Sequence, residues 1–134
     1  MELQAFLSRC DALTTMTAVE RQSVIELGEI VNYDAEAEII TEGKHETCFY
    51  ILLDGCVRVL KAGEEIAILN PGTFIGEMAL FNDNRRTSAV VSLSHTTLLR
   101  IESTDFSRQV LHQESHAVKM MEFLGRLMVE RLQS

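Results

Sequence analysis

Between residues 38 and 101 the chain is cut into short apolar stretches, and this limits the folds open to it more than any other feature. The stretches run from Glu38 to Thr41, Cys48 to Leu53, Cys56 to Leu60, Glu65 to Leu69, Ser88 to Leu93 and Thr97 to Ile101. Asp54-Gly55 and Ala62-Gly63 read as hairpin punctuation between them. No segment among them is long enough for the helical crossover that a parallel sheet requires. Short, evenly spaced strands of this kind predict a mainly β domain with flanking helices, built as an antiparallel β-roll (jelly roll) over residues 33–102.

Helical periodicity flanks the strands. Thr17-Ala18-Val19-Glu20 is a capping box, and Val24, Ile25, Leu27 and Ile30 follow at helical spacing, so residues 1–32 are expected to form N-terminal helices. Residues 104–134 return to the same period, with Phe106 and Val110 on a short helix and Ala117, Met120, Met121, Leu124, Leu127, Met128 and Leu132 on a longer one. Val118, Phe123 and Val129 widen the apolar arc of that last helix to roughly two-thirds of its circumference, more than one packing surface needs. A homodimer through this helix is the expectation, its methionines serving as packing residues. With 134 residues, 46% of them hydrophobic, and no Pro-rich linker or repeat, the chain is expected to be a single domain over 1–134.

Charge and motif content exclude several classes of function. Twelve basic against 20 acidic residues give a net charge of −8, which disfavours binding to nucleic acid or to an anionic membrane surface. No apolar run reaches the roughly 20 residues of a membrane span and no basic prefix marks a signal peptide, so a cytoplasmic protein is expected. Cys10, Cys48 and Cys56 lack metal or redox spacing and read as reduced packing thiols. His112 and His116 are four apart but lack the His-Glu-x-x-His order, so exposed histidines at a helix junction are expected rather than a metal site. His45 and His95 do not supply the strand-borne ligand cluster of a cupin-type enzyme. There is no Gly-x-x-x-x-Gly-Lys loop and no Gly-x-Ser-x-Gly elbow, and the module is expected to bind without turnover.

The chemistry is concentrated in residues 74–91, Phe-Ile-Gly-Glu-Met-Ala-Leu-Phe-Asn-Asp-Asn-Arg-Arg-Thr-Ser-Ala-Val-Val. Gly72 and Gly76 bracket a tight turn, and Glu77 to Leu80 predict a short helix whose first amides are free to meet an anion. Glu77 offers only lone pairs, which suits a sugar hydroxyl better than a phosphate. Arg86 supplies the opposite chemistry, since a planar guanidinium holds two phosphate oxygens at once. Thr87 adds a hydroxyl, and the apolar run Ala89-Val90-Val91 would anchor both on a strand.

Gly76-Glu77-Met78-Ala79-Leu80 followed by Arg86-Thr87 resembles the phosphate-binding cassette of the cyclic-nucleotide-binding domain family, with Arg85-Arg86-Thr87 similar to the form in cyclic-nucleotide-gated channels. The likeness extends through Glu42-Gly43, Phe49 to Leu52, Gly55-Cys56-Val57, Asn70-Pro71-Gly72 and Asp105-Phe106, and so covers the whole chain. The resemblance implies a catabolite-activator-like effector domain that binds cyclic AMP or cyclic GMP and no metal. It places Gly76, Glu77, Met78, Ala79, Arg86, Thr87 and Ser88 at the ligand, with Glu77 on the ribose 2′-hydroxyl, Arg86 on the cyclic phosphate, the Met78 and Ala79 amides assisting, and Thr87 beside the phosphate. Asn82-Asp83-Asn84 stands where the family often has Gly or Pro, putting Asp83 within reach of Arg86, while Arg85 reads as a solvated neighbour.

Two functional classes stay open at this point. One is a non-catalytic regulatory module that binds a cyclic nucleotide, cyclic AMP ahead of cyclic GMP, and relays it through movement of the C-terminal helix, which closes over the base, to a separate effector protein. The other is a degenerate roll that binds no nucleotide and serves as a dimerisation or scaffold element. No effector is encoded before Ser134, so either the receiver is a separate protein or the chain is part of something longer.

Overall fold

The first long helix starts where its capping box sits. The Thr17 hydroxyl accepts from the Glu20 amide at 3.1 Å, and the Thr17 amide donates to Glu20 Oε1 at 2.9 Å. The computed structural model describes residues 3–80 and 85–133, apart from the side chains of residues 79 and 131–133. Asn82, Asp83, Asn84 and the Leu132 side chain, all named among the expectations above, lie outside those described residues. The helices are α1 (Leu3–Leu7), α2 (Ala18–Leu27), α3 (Ser103–Leu111) and α4 (Ser115–Gln133), with 3-10 turns at Asp11–Leu13 and Glu77–Leu80.

Among the described residues eight strands form two four-stranded antiparallel sheets, confirming the roll. They are β1 (Glu29–Tyr33), β2 (Glu38–Ile40), β3 (Cys48–Asp54), β4 (Val57–Lys61), β5 (Glu64–Leu69), β6 (Phe74–Ile75), β7 (Ala89–Ser92) and β8 (Thr96–Glu102). One sheet runs β1-β8-β3-β6 and the other β2-β7-β4-β5.

Three local expectations are corrected. Ile30 is not on α2, because Gly28 ends the helix and Ile30 pairs with Leu99 on β1, so strand structure begins within the segment expected to be helical. Asp54-Gly55 is not a hairpin turn, since β3 and β4 belong to different sheets. It is the corner at which the chain changes layer. Gly55 adopts φ 88°, and a Cβ there would lie 2.4 Å from the His95 carbonyl oxygen. Ala62-Gly63, by contrast, does close the β4–β5 hairpin with φ positive at both residues, as a two-residue turn requires. Finally, His116 is buried rather than exposed. The α3–α4 break falls at residues 112–114 and leaves His112 outside, while His116 Nε2 bonds to Gln109 Oε1.

Strand β3 explains the layering. Phe49, Ile51 and Leu53 point to a core shared with the helices, including Leu7, Leu13, Val24, Phe106, Ala117, Met120 and Leu124. Cys48, Tyr50 and Leu52 point the other way, into a core between the sheets with Ile40, Val57, Ile75, Val90 and Leu98. Burial on both faces is why its sequence is a continuous apolar run instead of an alternation. Cys10, Cys48 and Cys56 are all free thiols. Burial pushes the Cys10 thiol up to about 11, and it donates to the Gly72 carbonyl at 3.1 Å, which is the behaviour of a packing residue.

Candidate functional site

The inter-sheet core is not filled at one end. A cavity of about 320 Å³ opens there, within the ~300–1,000 Å³ usual for small-molecule sites. Its floor comes from Ile40, Phe74, Ile75 and Val90, its polar side from the stretch expected to carry the chemistry, and its outer wall from the β4–β5 hairpin.

Gly76, Glu77, Met78, Arg86, Thr87 and Ser88 all line this cavity, which brings six of the seven expected residues together. The seventh, Ala79, belongs to the 3-10 turn Glu77–Leu80 directly after them. Glu77 is 3% exposed and Thr87 is exposed. Gly76 is required as glycine twice over: its φ is 76°, and a Cβ would stand 2.7 Å from Arg86 Nη1 and 3.0 Å from Ile40 Cδ1.

Arg86 is fixed by backbone on every side. Its amide donates to the Lys44 carbonyl at 2.8 Å, and its carbonyl accepts from the Gly43 amide at 2.8 Å, so the turn at residues 41–44 holds it in place. Its guanidinium is 3% exposed with the rest of the residue. Nη1 donates to the Gly76 carbonyl at 3.0 Å, and Nη2 donates to the Cys48 carbonyl at 2.5 Å with Cys48 Sγ at 3.5 Å. Glu46 Oε1 stands 3.9 Å from Nε, an ionic approach too long for a hydrogen bond. Nε is accordingly buried without a hydrogen-bond partner among the described residues. A buried charged donor in that condition is costly unless an acceptor reaches it. A guanidinium has five N–H donors, and those on Nε and the spare Nη position suit a second acceptor of fixed shape, such as an oxyanion.

Sequence reasoning missed the outer wall. Val59, Ile66, Ala67 and Leu69 line the cavity, and Ile66 is 57% exposed. Glu46 and Cys48, which stand beside the Arg86 guanidinium, were missed too. Arg85 is solvated, as expected, and also lines the cavity. No described side chain of helix α4 lines it. That helix packs against α2, α3 and the 3-10 turn Asp11–Leu13, with Lys119 Nζ 2.8 Å from Glu20 Oε1. Its nearest link to the site is Phe74, whose ring lies 6.0 Å from that of Phe123 and 6.1 Å from that of Phe49. No group of three or more potential metal ligands occurs among the described residues, and no helix there is long and apolar enough to cross a membrane.

Comparison with known proteins assigns the family. The profile of the cyclic nucleotide-binding domain matches residues 30–113. A cAMP-dependent protein kinase regulatory subunit of Neurospora crassa is 33% identical over 107 residues, covering 78% of this chain but 28% of that protein, so the chain spans under a third of this curated relative's length. A cAMP-bound PfPKA-R structure superposes with a TM-score of 0.73 at 25% identity, over 91% of this chain and 46% of that one. The catabolite activator protein of Thermus thermophilus shares the fold, with a TM-score of 0.76 at 22% identity over 90% of this chain and 59% of that one. On the profile match and the roll together, the chain belongs to the cyclic nucleotide-binding domain family.

Proposed function

We propose that the chain is a non-catalytic regulatory module whose inter-sheet cavity binds a cyclic nucleotide, cyclic AMP ahead of cyclic GMP. The observation that carries this reading is Arg86, a cavity-lining residue whose buried Nε has no hydrogen-bond acceptor among the described residues. A cyclic phosphate oxygen supplies what it lacks, and the Met78 and Ala79 amides stand in the adjoining turn as further donors. Glu77 would accept from the ribose 2′-hydroxyl, with Gly76 giving room for close approach and Thr87 and Ser88 flanking the phosphate. The base would lie against Val59, Ile66, Ala67 and Leu69. That apolar wall offers no partner to the 2-amino and 6-oxo groups of guanine, one polar group more than the single amino group of adenine, and Thr87 and Ser88 carry the neutral polar side chains of the lining.

Output follows from the link between cavity and helices. Phe74 belongs to the cavity floor and packs on Phe123 of α4, while Phe49 beside it meets Phe106 of α3 at 5.4 Å. Nucleotide binding that shifts the 76–86 segment would bias the positions of α3 and α4, provided the ligand binds one arrangement more tightly than another. Closure of α4 over the base would be such a change, since no described side chain of α4 lines the cavity. The partly exposed Val118, Met121, Leu127, Met128 and Val129 give α4 a second apolar face, which supports a homodimer and contact with a separate effector protein. The name of the N. crassa relative offers a protein kinase as precedent for that effector.

Isothermal titration of cyclic AMP and cyclic GMP into the wild type and into Arg86→Ala tests the reading. Removing two or more charge-assisted hydrogen bonds, each about 1.5–3 kcal/mol, is expected to weaken cyclic AMP at least about a hundredfold. Wild-type silence with both nucleotides would leave the roll as a scaffold.

A further inference from the structure

The cavity is positively charged only through its two arginines, and they are not equivalent. The ionisable groups lining it are Glu77, Arg85 and Arg86, a local excess of one positive charge on a chain of net charge −8. The Arg86 side chain is 2% exposed and both of its Nη atoms donate to backbone carbonyls, so little of its charge reaches the surrounding solvent directly. Arg85 is exposed, and it has no hydrogen-bond or ion-pair partner among the described residues. Its backbone forms a bridge with His45, which places it beside the turn that anchors Arg86. Charge of both signs stands on the neighbouring elements: β5, which supplies the outer wall, presents the exposed Glu64 and Glu65, Glu46 is one-third exposed, and Lys44 and Lys61 are exposed on the adjoining turn and hairpin.

A nucleotide phosphate approaching this acidic protein therefore finds a local excess of positive charge at the cavity lip. Charges of that kind act chiefly on the rate of encounter and are screened by salt, whereas a buried donor such as Arg86 acts on the residence time. Resting on the nucleotide-binding reading above, we propose that Arg85 is the capture charge of the site, which draws the phosphate in and hands it to Arg86 without being a lasting contact of the bound ligand. The division of labour assigns association to one arginine and retention to its neighbour.

Stopped-flow association and dissociation of a fluorescent cyclic AMP derivative, run from ~20 mM to ~0.5 M salt, separates the two roles. Arg85→Gln is expected to lower the association rate about fivefold at the low salt and less than about twofold at the high salt, with dissociation unchanged. Arg85→Lys should restore association and Arg85→Glu should depress it further. Because the side chain is exposed, thermal melting of all three variants should match wild type. An association rate indifferent to all three substitutions at low salt would make Arg85 a bystander and overturn the proposal. Faster dissociation at every salt concentration would make it a direct ligand contact and overturn it equally. Failure of the wild type itself to bind the derivative or cyclic AMP strikes the nucleotide-binding reading instead, and is seen before any variant is compared.

Discussion

The two faces of β3 show how one strand serves stability on one side and recognition on the other. Toward the helices, Phe49 meets Phe74 and Phe106 in a packed aromatic cluster backed by Leu124 and Met120. Toward the second sheet, Cys48, Tyr50 and Leu52 pack as tightly near β8, but the layer stops short where Gly76 and Arg86 replace apolar side chains. Burial pushes the Tyr50 hydroxyl pKa upward, in keeping with its dry surroundings on that face. A core closed on one side gives the rigidity against which an unfilled core on the other can hold polar groups in fixed positions. The helix-facing side is expected to govern folding and the sheet-facing side to govern binding.

The largest test of that division is Phe49→Ala. Losing a fully buried ring from the aromatic cluster should cost about 3–5 kcal/mol in urea unfolding, a large share of the roughly 5–15 kcal/mol that holds such a domain folded. Gly76→Ala attacks the other side. Forcing a Cβ at φ 76° against Arg86 should cost about 1–2 kcal/mol of stability, but displacing the guanidinium should weaken cyclic AMP by about tenfold or more in calorimetry. A large stability loss with affinity intact would erase the contrast.

Smaller effects sharpen it. Thr17→Ala removes the capping box of α2, about 1 kcal/mol by thermal unfolding, and should leave nucleotide affinity unchanged because α2 is remote from the cavity. The smallest concerns pH. The Lys119 ammonium, followed by the Thr17 amide, holds the Glu20 carboxyl down at about 2 from its ordinary 4.5. A carboxylate depressed in the folded state stabilises above its unfolded pKa and loses that contribution as pH falls, here between about 4.5 and 2. Glu20→Gln should flatten that part of the acid-melting curve, and an unchanged curve would remove the α2–α4 tie from the account.

Much of this was legible in the residues, and the losses have physical causes. The strand segments stood out because each is short, apolar and bounded by turn residues. Ile30 was misplaced because it falls three residues after Leu27, so helical spacing runs on past the Gly28 stop. The role of Asp54-Gly55 was hidden because a turn sequence records that the chain bends, and the sheet that the next strand joins is decided by long-range pairing. At the site, Gly76, Glu77, Arg86 and Thr87 announce themselves by side-chain chemistry, whereas the carbonyls of Cys48 and Gly76 that orient Arg86 have no side-chain signature. Ile66 and Ala67 reach the cavity through the placement of the β4–β5 hairpin, which the residues of β5 do not encode locally.

The central claim is that an anionic sugar phosphate completes the hydrogen bonding of Arg86. Arginine Nε–H resonances in a 15N-labelled sample, titrated with cyclic AMP and separately with adenosine, address it directly, with Arg86→Lys identifying the signal. The account expects cyclic AMP to move the Arg86 Nε–H resonance downfield and slow its exchange with water, with adenosine doing neither. An Arg86 signal unmoved by saturating cyclic AMP, or moved equally by adenosine, would contradict it.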